Sequence, residues 1–215
     1  MGALAVGRAC WKLHSFDPDL ASRQPARASA ELPRKVADAA AVYPMWKFYP
    51  SRSPAPVWVG DVVEAFAAAA PKIDSRANRG VSSDAALSAL RPALVQAGFE
   101  IEAGKAKADK IWRPVLFGEA GRPVVAYEVD GFHPEHGVVL EVEAGRGAAN
   151  NADYRDLIRS SLMVDAEYLV VAMMLEYTSQ QSTVRSYDQT RDRLDAIYAS
   201  ERLKLPLEGI LLIGY

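Results

Sequence analysis

The chain has 215 residues, half of them apolar and 24% charged, with a formal net charge of −2 and one cysteine. That composition suits one soluble domain with or without an appendage, and it excludes a polycation of the histone type. Cys10 alone excludes an intramolecular disulfide and a Cys-rich zinc site.

Residues 1–57 read as a Pro-rich N-terminal extension, partly ordered, and residues 58–215 as the domain proper. Arg8, Lys12 and His14 interrupt the only stretch near the N-terminus that resembles a signal-peptide core. No apolar run approaches the ~20 residues needed to cross a bilayer, so a cytoplasmic protein with no membrane partner is the expectation. Residues 34–43 suit a short helix. Residues 43–49 are too aromatic for a free linker and should pack on the domain or on a partner.

Residues 61–70 predict an Ala-rich helix ended by Pro71. Ser83 should cap a second helix, with Leu87, Leu90, Leu94 and Val95 on one face and a kink at Pro92. Phe99–Glu102 opens a first strand, and Lys105, Lys107 and Lys110 follow in a polar loop. Residues 124–132 and 138–143 predict two strands. Asn150 and Asn151 should cap a helix to about residue 164, with Tyr154, Leu157, Ile158 and Ser161 on its inner stripe. The continuous apolar run 168–175 suits a strand buried on both faces. A strand–helix–strand unit of this length implies a right-handed crossover and a parallel pair. A helix over 183–203 and a last strand over 209–213 complete the series.

Charge is unevenly distributed. Residues 124–178 carry ten Asp or Glu against three Lys or Arg. A four-residue turn at 134–137 sets His133 opposite Val138, hence Asp130 opposite Glu141 and Glu128 opposite Glu143. Those four carboxylates then share one face, while Val129, Leu140 and Val142 take the other. Like charges opposed across a sheet are destabilising, and no Lys or Arg sits among them. Raised pKa values are one resolution; a hard divalent cation bound by oxygen ligands is the better one. The competing reading, a solvated acidic face on an edge hairpin, is disfavoured by the apolar neighbours on both sides.

The arrangement Asp130, then Glu141-Val142-Glu143, then a crossover helix and a buried strand resembles the PD-(D/E)xK nuclease superfamily. Glu143 stands where that superfamily usually has Lys. The BglII/BamHI-like restriction enzymes make similar replacements with Gln or Glu. Glu141-Val142-Glu143-Ala144-Gly145-Arg146 resembles their Glu-Val-Gln-x-Gly-Lys, and a helix containing Asp156-Leu157 follows. The resemblance implies an α/β restriction endonuclease-like core, a central mixed sheet flanked by helices in αβββαβ order. It implies a metal-dependent endonuclease acting on double-stranded DNA as a homodimer. Asp130 and Glu141 would bind Mg²⁺ or Mn²⁺, and Glu143 would accept a proton or help hold the metal. The family often adds an upstream acidic residue; Glu64 and Asp84 are both candidates. The alternatives are a nuclease of repair or defence without strict sequence choice, and a catalytically inactive DNA-binding relative.

Lys105, Lys107, Lys110 and Arg113 suit phosphate contacts, and Arg146, Asn150 and Asn151 suit base reading, because Arg and Asn pair bidentately with guanine and adenine edges. A solvated loop is an equal reading for the lysines, and a salt bridge to the acidic cluster is one for Arg146. His133 and His136 are spaced as a His-x-x-His pair, but strand parity turns His133 away from Asp130. Solvent-facing turn histidines are the commoner case. No Gly-rich phosphate loop and no serine nucleophile elbow is present.

Overall fold

A computed structural model describes residues 42–145, 147–179, 182–200 and 202–215. The helix expected over 34–43 lies almost wholly outside them. Alternation of apolar residues along the chain's strands leaves two buried faces, and helices cover both. The central sheet has six strands: β1 (Met45–Tyr49), β10 (Gly209–Gly214), β7 (Tyr168–Met173), β6 (Val138–Glu143), β5 (Gly131–His133) and β2 (Glu100–Ile101), in that spatial order. β6, β7 and β10 run parallel, while β1, β5 and β2 run antiparallel to their neighbours. The fold is thus mixed α/β, with a central mixed sheet flanked by helices. Among the described residues no helix is long and apolar enough to cross a membrane.

The aromatic segment 43–49, placed above in the N-terminal extension, supplies the edge strand β1. Phe48 packs edge-to-face on Trp58 at 6.5 Å, which fastens β1 to α1 (Trp58–Ile73). α1 and α2 (Ser83–Gln96) cover one face through Phe66, Leu90 and Leu94 against Val138, Leu140 and Val142. α3 (Ala152–Leu162) and α4 (Ser186–Ser200) cover the other through Leu157 and Leu194 against Val139, Val171 and Leu212. β6 alternates accordingly. Its even-numbered residues face α1 and α2; Val139, Glu141 and Glu143 face α3 and α4.

Pro71 does not end the first helix, and Pro92 does not split the second. α1 continues through Pro71 and α2 through Pro92. Both prolines lie on the solvent side, where water can replace the lost backbone bond and the helix is held from its buried face. The cap of α2 is Ser82 rather than Ser83; its side chain accepts from the Ala85 N–H at 3.2 Å. α4 begins at Ser186, because Thr183–Val184 (β9) pairs with Tyr177–Thr178 (β8) in a small hairpin.

The most consequential departure concerns the strand expected over 124–132. It breaks at Asp130. Pro123–Val129 (β4) leaves the central sheet and pairs with Ile111–Phe117 (β3) in a separate ribbon, where Glu128 opposes Trp112. β5 alone stays against β6, in the expected register of His133 with Val138.

Candidate active site

The carboxylates gather where β4 peels away. Extending the β5–β6 register by one residue sets Asp130 against Glu141, and Asp130 Oδ2 accepts from the Val142 N–H at 2.7 Å. Burial pushes the Asp130 carboxyl up to about 6, opposed by that hydrogen bond and reinforced by Glu102 and Glu143. Glu141 is 6% exposed. Its pKa is raised well above the ordinary value by burial and by Asp130 and Asp156; Arg159 opposes the shift. Arg159 Nη1 lies 4.0 Å from Glu141 Oε1, beyond hydrogen-bond reach, and that oxygen has no hydrogen-bond partner among the described residues.

Glu143 shares the face of Glu141 as expected, and it carries an unforeseen partner, the Arg155 guanidinium of α3. Its backbone carbonyl accepts from the Tyr215 hydroxyl at 2.9 Å, which anchors the end of β6 to the last residue of the chain. Glu128 does not join. Its carboxylate pairs with Lys110 at 2.8 Å in the ribbon.

α3 bears out Leu157 of the expected stripe but not Tyr154 or Ile158. Its buried face is Asp153, Asp156, Leu157 and Ser160, whereas Tyr154, Ile158 and Leu162 are 42%, 53% and 48% exposed. Of this face, Asp156 meets the carboxylates of β6. Asp156 is fully buried; Arg155 Nε donates to its Oδ1 at 3.2 Å, and its Oδ2 has no partner among the described residues. Burial and the Glu143 carboxylate push the Asp156 carboxyl up to about 7, against the pull of Arg155. Asp153 is tied to α4: it accepts from Thr190 Oγ1 at 3.0 Å and from Arg193 Nη1 at 2.6 Å. Arg193 also donates to the Ala148 carbonyl at 2.8 Å, so one guanidinium fixes the turn that follows β6.

Sequence reasoning missed Asp156, Arg155, Arg159 and Glu102. The signal for Asp156 was present: Asp153, Asp156 and Ser160 recur at helical spacing opposite an apolar row. Preferring apolar residues for the inner stripe hid it. Glu102, 8% exposed, bonds through its backbone N–H to the Asp130 carbonyl at 3.0 Å. The upstream candidates Glu64 and Asp84 instead lie on α1 and α2, behind the sheet. Asp84 pairs with Lys105 at 3.1 Å.

The basic candidates are dispersed. Lys110 is largely enclosed between Glu102 and Glu128, at 2.6 and 2.8 Å, and its pKa is raised by those two hydrogen bonds. Lys107 lies 5.8 Å above the Trp112 ring, and Arg113 is ion-paired with Asp165. Asn150 and Asn151 are exposed at the entrance to α3. Asn151 holds the N-cap position in a left-handed conformation, φ 58°, without a side-chain cap bond. Arg146 lies outside the described residues.

The donor set fits a hard cation. Asp130 and Glu141 offer oxygens from directly opposed strands, and Glu141 keeps one oxygen unsatisfied. Among the described residues no three His, Cys, Asp or Glu side chains form a ready cage. Mg²⁺ commonly takes only one or two carboxylates and fills its remaining positions with water and substrate phosphate.

No family model matches the chain, and no curated protein is significantly similar to it. Among solved structures the chain is similar to restriction endonuclease BglII complexed with a DNA 16-mer. The identity is 14%, over 80% of this chain and 75% of that chain, with a TM-score of 0.41.

Proposed function

We propose that this protein is a metal-dependent endonuclease of restriction-enzyme type, hydrolysing phosphodiester bonds of double-stranded DNA as a homodimer. The observation that carries the reading is the Asp130–Glu141 pair: two directly opposed carboxylates, Glu141 buried and Asp130 half-buried, both with raised pKa values, and one Glu141 oxygen without a hydrogen-bond partner among the described residues. Burying like charges without a full set of partners is costly unless a cation joins them. The motif they belong to, with Glu143 two residues on, resembles the nuclease pattern described above.

Asp130 and Glu141 would hold Mg²⁺, which when bound would supply Lewis-acid stabilisation of phosphorane charge and a more acidic water. The Val142 N–H fixes the Asp130 carboxylate beside Glu141, where the two would hold the ion. Glu143, on the same face, is placed to accept a proton, and Arg155 orients it. Arg159 supplies the positive charge nearest Glu141. Asn150, Asn151 and Arg146 follow directly from the catalytic strand and are assigned to DNA contact. The exposed row Tyr154, Ile158 and Leu162, one residue per helical turn, supports a second copy as the partner that covers α3.

Incubation with plasmid and phage DNA with and without Mg²⁺, followed on a gel, tests the reading. Discrete Mg²⁺-dependent products are expected; intact DNA under all conditions would overturn it in favour of a DNA-binding relative without activity.

A further inference from the structure

A second constellation lies at the other end of β5. Asp130 and His133 are three residues apart, roughly 10 Å along the strand, and face opposite sides of the sheet. His133 is 5% exposed and packs edge-to-face on Phe99 at 5.0 Å. Its Nε2 lies 3.0 Å from the Ala97 carbonyl. A carbonyl only accepts, so Nε2 carries the proton, and the neutral ring must then present its lone pair on Nδ1. Nδ1 is buried and has no partner among the described residues. An imidazole that gives one N–H to a backbone carbonyl and leaves the other nitrogen bare has the tautomer of a metal ligand.

The His136 ring lies against the His133 ring, 4.6 Å away between centroids and tilted by 32°. The turn carrying it is fixed. Gly137, at φ 61°, accepts through its carbonyl from the N–H groups of Glu167 and Tyr168 at 2.8 and 3.1 Å. A Cβ at that position would lie 2.9 Å from the Asp165 carbonyl oxygen, so the close approach of the turn to the start of β7 requires glycine. Both histidines line a cleft of about 460 Å³ that Asp61, Glu135 and Glu167 also border.

We infer that His133 and His136 form a site for a borderline transition cation of the Zn²⁺ class, distinct from the carboxylate site. Imidazole nitrogen with carboxylate oxygen is the donor set that Zn²⁺ favours and that Mg²⁺ does not. Among the described residues no three such side chains already converge. The assigned site therefore requires His136, exposed on its turn, to rotate beside His133 Nδ1, with one bordering carboxylate and water completing the tetrahedron. His133 supplies the fixed half of the site, because its tautomer is set before the ion arrives.

The test is titration of the full-length chain with Co²⁺ in excess Mg²⁺, read by visible absorption, with Zn²⁺ calorimetry in parallel. One equivalent with a nitrogen-ligand tetrahedral spectrum is expected. His136→Gln, on the exposed turn, should weaken binding by at least roughly tenfold, the lower end of what removing even an orienting partner costs. His133→Gln should do the same where it folds. Asp130→Asn with Glu141→Gln should leave the spectrum intact, and so should Cys10→Ser with His14→Gln. Absence of a Co²⁺ spectrum, an unchanged affinity in His136→Gln, or loss of binding in either control pair would overturn the assignment. None of these outcomes depends on DNA cleavage.

Discussion

Asp130 accepts the backbone N–H of Val142 at 2.7 Å, so the carboxylate at the break in one strand takes the ladder position that the departing chain has vacated on the next. The bond holds Asp130 beside Glu141 without neutralising it, and burial then raises both groups. A native state that binds extra protons in this way is sensitive to pH in a definite direction.

Acidification should stabilise the metal-free protein. Asp130 rises from 3.8 to about 6 and Asp156 from 3.8 to about 7. Between the unfolded and folded values the native state binds more protons than the unfolded chain, so stability falls as pH rises through that window. The contribution is fully present below about 4 and lost above about 7, on the order of 1–3 kcal/mol per group. Denaturant melts across pH 4–8 should show this decline, superimposed on the rest of the titration, and Asp156→Asn should flatten it. Mg²⁺ should raise the midpoint more at pH 8 than at pH 5, because protons and cation compete for the same oxygens.

Asp130→Ala and Glu141→Ala should each abolish Mg²⁺-dependent cleavage while the protein remains folded. Removing a charge from a crowded cluster relieves repulsion, so metal-free Glu141→Ala should be as stable as the parent or slightly more so, whereas in Asp130→Ala the loss of the Val142 N–H acceptor offsets that gain. Cleavage assays paired with circular-dichroism melts check this. Loss of activity together with gross unfolding would make the two residues structural.

The sequence pattern reached β6, β7 and β10 almost to the residue, because strands buried on both faces announce themselves as apolar runs. It also placed Asp130, Glu141 and Glu143 on one face, since His-Pro-Glu-His-Gly fixes the turn and the turn fixes register. It failed at Glu128, because nothing local marks where a chain leaves one sheet for another; Asp130 itself is the hinge. It failed again at α3, where Asp153, Asp156 and Ser160 are buried and Tyr154, Ile158 and Leu162 are exposed. Amphipathic reasoning assumes that the apolar side faces the core, and α3 breaks that assumption where its Asp156 meets the carboxylates of β6.

The exposed row on α3 gives its own prediction. Ile158 is 53% exposed, at the middle of the row. If a second copy covers it, Ile158→Lys should convert a dimer to a monomer in sedimentation without lowering the melting temperature of the isolated chain. A sedimentation profile that does not change, or a parent that is monomeric at all concentrations, would remove the second copy from the proposal.

The lysines should separate into two classes. Lys105 is exposed, and neutralising it together with Lys107 should weaken binding to all DNA sequences alike. The salt dependence should flatten by about one unit of slope for each phosphate that is no longer neutralised. Lys110 differs because Glu102 and Glu128 enclose it. Lys110→Ala should destabilise the fold by leaving the buried Glu102 carboxylate without its cation, and the salt slope should stay near that of the parent. Melts and salt-titrated binding on the two variants distinguish these behaviours; an equal slope change in both would put Lys110 on the DNA.

Glu143 is the sharpest case, because the proposed function makes it the base although the Arg155 guanidinium already pairs with it. Its carboxylate shares a face with Glu141 two residues earlier and is held by Arg155. As a proton acceptor its replacement by Gln should cost about 10²–10⁴-fold in the cleavage step, the usual range for general-base catalysis. Gln keeps the shape and can still accept from Arg155, so the loss would report chemistry rather than geometry. Glu143→Lys would set an ammonium against the Arg155 guanidinium, so it should not restore activity by itself. Pairing it with Arg155→Glu removes the repulsion and returns an ion pair of reversed order. Single-turnover cleavage at saturating Mg²⁺ on the parent, the two single variants and the double variant decides the matter. Full activity in Glu143→Gln would sink the base assignment and leave Glu143 a partner for Arg155. An inert parent together with an active Glu143→Lys, Arg155→Glu double variant would show instead that the site works only with a cation at this position.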